Sequence, residues 1–291
     1  MQVLFLYAAV VMIWGSTWAA IPFQFGVVAA EVSVGYRFGI AALLLYVYAL
    51  ISGRQLRLPA NAYGFVLLQG TLLFCLNYLL VYYATARITS GLVAVVFSSI
   101  VLFNAINERI FFNTRIDGRL VIAGLLGLSG IAMIFWPEVS ELSFGDNTIV
   151  GMSLVLLGTV LASFGNMTAV INTRHELPVV AVNAHAMAWS ALLSLVIAAL
   201  LGRDLNFSLQ PGYVISLAYL AVFGSAIAFG CYLGLIRRIG SARAAYSSVL
   251  FPVVALAIST VVEGYRWTAI AAVGIMLTLA GNWLILRSKA T

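Results

Sequence analysis

The chain has 291 residues, 63% of them apolar and 8% charged, with a mean hydropathy of +1.08. Soluble proteins average roughly 45–50% apolar and 25% charged residues, so no water-soluble fold can bury this much. The net charge of +6 is too thinly spread to track phosphates, which excludes a nucleic-acid binder along with a cytosolic enzyme and a disulfide-built secreted scaffold.

Apolar runs between charged and Gly/Pro punctuation predict ten transmembrane helices. They lie at about 4–24, 33–52, 62–84, 91–112, 118–136, 149–172, 178–201, 213–235, 240–262 and 268–286. Ten crossings of about 20 residues use roughly 200 positions and leave short loops but no separate soluble domain. The runs are continuous and far longer than a ~10-residue barrel strand, so the expected fold is all-α. No basic leader precedes the first run, so a cleaved signal peptide is disfavoured. Cys75 and Cys231 fall inside apolar runs and read as small packing residues, with no metal or redox role.

Orientation follows from the basic residues. With ten spans both termini share a face, and that face collects 11 of the 15 Lys and Arg residues, from Arg54 and Arg57 to Arg287 and Lys289. Arg37, Arg87, Arg203 and Arg266 fall on the other. The positive-inside rule then puts both termini in the cytoplasm.

The polar stretch from Trp136 to Asn147 divides the chain into residues 1–140 and 141–291, five spans each. One register relates the halves: YYATARITSG ending at Gly91 sets against CYLGLIRRIG ending at Gly240, and VFSSIVLF against AYSSVLFP, both at 240 − 91 = 149. Tyr83 then pairs with Tyr232, Ser98 with Ser247 and Ser99 with Ser248. An odd number of spans per half makes the second copy enter from the opposite face, the inverted repeat of many secondary transporters.

These residues carry a resemblance. IWGSTW at Ile13–Trp18, Arg37-Phe38 in YRFGIAALLL, and Pro252 with Glu263 in SSVLFPVVALAISTVVEG resemble the EamA-type drug/metabolite transporter superfamily over the whole chain. The first-half counterparts of Pro252 and Glu263 are Phe103 and Thr114, so those features occur once. The aromatic content is similar to that of amino-acid exporters handling aromatic substrates. The resemblance implies a basket of helices around a central cavity, lined by the first, third, fourth, sixth, eighth and ninth spans, with the fifth and tenth outside.

Candidate site residues follow from depth and chemistry. Tyr78 and Tyr82 share a face of the third span with Asn77 beside them, and Trp14 and Trp18 share one in the first. Such rings can hold an apolar side chain and, through their quadrupole, an ammonium group; packing or an interfacial belt is the alternative, above all for Tyr82. Ser98, Ser99, Ser247 and Ser248 offer hydroxyls or simply let helices approach. Pro252 frees the carbonyl of Ser248, next to Ser247 and Tyr246, and with Gly91 and Gly240 it is a candidate hinge. Asn166 is a mid-span amide that should face the interior. Arg37 suits a substrate carboxylate or the outer vestibule; Glu108 suits proton coupling, or an interfacial pair with Arg109.

The expected function is export of amino acids, with preference for aromatic or large apolar side chains, by alternating access across a bacterial inner membrane. Export of cationic or amphipathic drugs is the alternative. His175 and His185 have no carboxylate or cysteine placed beside them for catalysis, so no enzyme activity and no cofactor are expected. The expected partners are a small-molecule substrate and the lipid bilayer, with the chain a monomer or weak dimer.

Overall fold

The structure, a computed structural model, describes residues 2–17, 20–26, 28–88, 90–116, 118–136, 146–262 and 268–287. Every regular element among them is helical. In chain order these are α1 (Gln2–Thr17), α2 (Ala30–Ile51), α3 (Ala60–Thr85), α4 (Ser90–Phe97), α5 (Ile100–Phe112) and α6 (Gly118–Ile134). Then follow α7 (Asp146–Arg174), α8 (Val179–Leu200), α9 (Pro211–Ile239), α10 (Ser241–Ala245), α11 (Phe251–Val262) and α12 (Ala269–Arg287). Six stretches among the described residues are long and apolar enough to cross a bilayer, from Ala30–Ile51 to Pro211–Ile239. The 22 residues of α2 rise about 33 Å, matching a ~30 Å hydrocarbon core. Leu50, Ile51, Ile110, Leu200 and Ile215 stand exposed on the outside, as lipid-facing side chains must.

Helix ends are set by local chemistry. α2 closes on Gly53 at φ +60°, with the Arg54 N–H donating to the Ala49 carbonyl at 2.8 Å. α8 closes the same way on Gly202 at φ +66°, with the Arg203 N–H donating to Ala198 at 2.9 Å. Both are Schellman caps, which a residue lacking Cβ accommodates without strain.

Three expected spans are not continuous helices. α1 stops at Thr17, and Pro22 opens a 3₁₀ turn over Ile21–Gln24. The fourth span breaks at Ser98-Ser99, where the Ser99 hydroxyl donates to the Val96 carbonyl at 2.6 Å and diverts an acceptor from the helix ladder. The ninth is α10, a 3₁₀ stretch at Tyr246–Leu250, then α11. Pro252 is the second residue of α11, where a missing N–H costs nothing, so it starts a helix rather than kinking one. α3 and α9 also widen into π-helical stretches at Gly70–Leu76 and Val222–Ile227.

α2 packs along α8, and α6 along α12; α1 lies between α9 and α11, while α7 lies against α3 and α5. Glycines permit the closest of these approaches. A Cβ at Gly70 would overlap the Ala186 carbonyl oxygen of α8. Gly70→Ala should therefore prise α3 from α8 and lower the thermal midpoint in detergent by several degrees, whereas Gly64→Ala, with open space at its Cβ, should not.

Candidate binding cavity

A cavity lies among the helices. α1, α3, α5, α7 and α9 contribute to its wall, together with Phe97 of α4, Ala245 of α10 and Phe251 of α11. Among the described residues, none of α6 or α12 is in the wall. α2 does contribute, through Arg37, which the six expected lining spans did not include.

Trp14 is the centre of the aromatic wall, with ring centroids 4.7 Å from Phe229, 5.1 Å from Tyr232 and 5.7 Å from Phe251. Its indole N–H donates to the Gly224 carbonyl at 2.9 Å, which fixes the ring across α1 and α9. That acceptor lies in the π-helical stretch of α9, where the widened turn leaves carbonyls off the regular ladder. A Cβ at Gly224 would lie 3.0 Å from Thr17 Cγ2 and 3.2 Å from Arg37 Nη2, so a side chain there would crowd both neighbours.

Arg37 is buried, at 2% exposure. Its Nε donates to Ser225 Oγ at 2.8 Å and Nη2 to the Gly224 carbonyl at 3.3 Å, and its guanidinium carbon lies 4.7 Å from the Tyr78 ring centroid. Nη1 has no partner. No carboxylate lines the cavity among the described residues. A buried cation held by neutral groups, with one donor left over, is an electrostatic demand for an anion.

Neutral acceptors share the wall. Asn77 Oδ1, Asn166 Oδ1 and Ser248 Oγ are buried without partners. The Asn77 amide donates to Leu73 O, and the Asn166 amide donates to Tyr232 at 3.1 Å and Asn104 at 3.4 Å, so in each the oxygen remains unpaired. Ser247 also lines the cavity, but its hydroxyl donates to Ala244 O at 2.8 Å. Four expected residues are not in the wall. Tyr82 is buried against Phe25, and Ser98 and Ser99 form the helix break. Tyr246 turns away and donates to the Ala123 carbonyl of α6, acting as a bolt to the peripheral helix because Gly127 and Gly281 leave room for its hydroxyl. Trp18 and Glu263 lie outside the described residues, and Gly91 sits in the first turn of α4.

A model of the EamA-like transporter family matches residues 1–136 and 149–287. This chain belongs to that family. Among relatives of this EamA transporter, "Uncharacterized inner membrane transporter YedA" of Escherichia coli strain K12 is 29% identical over 95% of this chain and 90% of the relative. "Protein PagO" of Salmonella typhimurium strain LT2 is 22% identical over 98% and 95%. A solved crystal structure shares the fold with a TM-score of 0.79 over 98% of both chains at 17% identity. The all-helical fold and the family together make the chain a multi-pass membrane transporter.

In this EamA transporter Glu108 does not pair with Arg109, whose guanidinium donates to Asn113. Glu108 Oε1 instead accepts the Ser241 N–H and the Ser241 hydroxyl, both at 2.7 Å, and so anchors the first turn of α10 from α5. Gly240 precedes that turn at φ +81° and ψ 164°, a region open essentially to glycine alone. Gly240→Ala should cost about 1–3 kcal/mol, seen as a lower thermal midpoint. Glu108→Gln keeps an acceptor oxygen for Ser241, so stability should hold and the response of flux to a pH gradient should persist. Loss of that response with the fold intact would return Glu108 to proton coupling.

Gly224, Ser225, Phe229 and Phe251 were missed as site residues. The Gly-Ser pair inside an otherwise apolar run and the three-residue spacing of Phe229 and Tyr232 were the available signals.

Proposed function

We propose that this protein exports amino acids, with preference for aromatic or large apolar side chains, by alternating access. The single observation carrying this reading is the unpaired Nη1 of Arg37 in a cavity walled by rings and by neutral acceptors. The guanidinium suits an α-carboxylate, and the oxygens of Asn77, Asn166 and Ser248 suit an α-ammonium. Trp14, Tyr78, Phe229 and Phe251 offer the remaining wall to an apolar side chain. A cationic drug would meet a fixed positive charge with no carboxylate among the described lining residues to offset it, which favours the amino-acid reading over the alternative substrate class.

We further read the chain as ten spans in two inverted repeats, residues 1–140 and 141–291. The break at Ser98-Ser99 and the 3₁₀ stretch containing Ser247-Ser248 lie 149 positions apart, and so do the caps at Gly53 and Gly202. The family match likewise falls into two stretches. Helices equivalent under this register, α2 with α8 and α6 with α12, pack against each other. Both termini face the cytoplasm on the 11-to-4 partition of basic residues, and the relative named as an inner membrane transporter supports that membrane.

Counterflow into proteoliposomes loaded with Phe, Trp, Thr, Met or methyl viologen, with and without a pH gradient, tests the reading. Saturable exchange of Phe and Trp is expected. Exchange confined to methyl viologen would replace amino acids by cations, and unsaturable flux would replace a carrier by a channel.

A further inference from the structure

A second group of buried polar side chains lies away from the cavity, at the Arg174 end of α7. Gln69 and Asn183 are 0% exposed and Asn172 is 3% exposed. The Asn172 amide donates to Gln69 Oε1 at 2.9 Å. Gln69 Nε2, Asn172 Oδ1 and both amide atoms of Asn183 have no partner. Unsatisfied amides at such depth are costly, and a leucine of similar size would carry no such penalty. α8 lines none of the cavity, so ligand binding there does not account for Asn183.

Their positions continue the cavity. Gln69 is one turn toward the start of α3 from the cavity-lining Leu73, and Asn172 is six residues beyond the cavity-lining Asn166, about 9 Å along α7. The short link from Arg174 to Val179 brings the first turns of α8, with Asn183, to the same end. α3 packs on both α7 and α8 there. Between this group and the cavity, Asn166 donates to Tyr232 and Asn104, and Asn104 donates to the Ser241 carbonyl at 3.2 Å. Polar side chains therefore run from the cavity floor toward the face that carries the termini.

We infer that Gln69, Asn172 and Asn183 line the cytoplasmic half of the transport path, packed shut in this conformation and wetted when the Asn104–Asn166–Tyr232 contact opens. The unpaired amide atoms then find water in the other state, which a purely structural role would not supply. The inference rests on the alternating-access reading, though not on which substrate is carried.

Accessibility of introduced cysteines tests it without any substrate. With Cys75 and Cys231 replaced by alanine, Asn183→Cys and Asn172→Cys are exposed in inside-out vesicles to a charged, membrane-impermeant methanethiosulfonate. Both should react at least ten times faster than Ala198→Cys, a fully buried position on the same α8. Equal rates at all three would overturn the inference. Asn183→Leu supplies a second readout: its thermal midpoint should hold or rise while the rate of counterflow falls at least tenfold. Unchanged counterflow in that variant would also overturn it. Failure of the amino-acid panel alongside fast labelling would remove the substrate and leave the path.

Discussion

Arg37→Gln should weaken carboxylate-bearing substrates by roughly 10- to 100-fold, the equivalent of a charge-assisted hydrogen bond of about 1.5–3 kcal/mol. The effect should appear in the KM of phenylalanine counterflow. Phenylalanine methyl ester, which has no carboxylate, should lose far less. Arg37→Lys keeps the charge but not the fork that reaches Ser225 and the Gly224 carbonyl together, so it should fall between the two. If the acid and the ester suffer equally, Arg37 is a structural strut for α9 and the substrate assignment fails. A thermal midpoint for each variant separates lost binding from lost fold.

A second large stability effect should come from a place remote from the cavity. A Cβ on Gly130 of α6 would sit 2.5 Å from the Gly274 carbonyl oxygen of α12 and would overlap the Thr278 hydroxyl. A Cβ on Gly274 would sit 2.5 Å from the Gly130 carbonyl oxygen. The contact is backbone on backbone, so no side chain can swing aside to relieve it. Gly130→Ala should cost ~3 kcal/mol and lower the thermal midpoint in detergent by roughly 5–10 °C. Because no described residue of α6 or α12 lines the cavity, KM should stay as it was. A shift in KM that follows the loss of stability would mean that this outer pair also shapes the binding site.

Much of the helical layout was legible because membrane burial forces it. A continuous apolar run about 20 residues long has one way to satisfy its backbone in lipid, and the predicted bounds of the second, seventh and tenth spans fall within three residues of α2, α8 and α12. Arg37 stood out for the same reason, since an ionised group inside a span needs partners, and the structure gives it Ser225 and the Gly224 carbonyl. The serine pairs were read as substrate hydroxyls or as small residues that let helices approach, and of the four only Ser248 is a wall residue with its hydroxyl unpaired among the described residues. Ser99 and Ser247 return their protons to nearby carbonyls, which an isolated sequence segment does not distinguish from pointing inward. Tyr246 shows the same ambiguity on a larger scale, because a tyrosine beside a cavity serves equally to bolt a neighbouring helix.

Hydropathy and charge by themselves determined that the chain is a helical membrane protein, and the tryptophan-glycine-serine opening with its partner motifs pointed to the family that the match then established. Only the tertiary structure decided which polar groups meet. The Gly224 carbonyl serves both Trp14 and Arg37 because α9 widens into a π-helical turn, and α and π turns share the same apolar pattern in sequence. Glu108 finds Ser241 across 133 residues, and Nη1 of Arg37 is left over by its packing against α3 and α9. Such pairings depend on distances between remote segments, which hydrophobic periodicity within one segment does not encode.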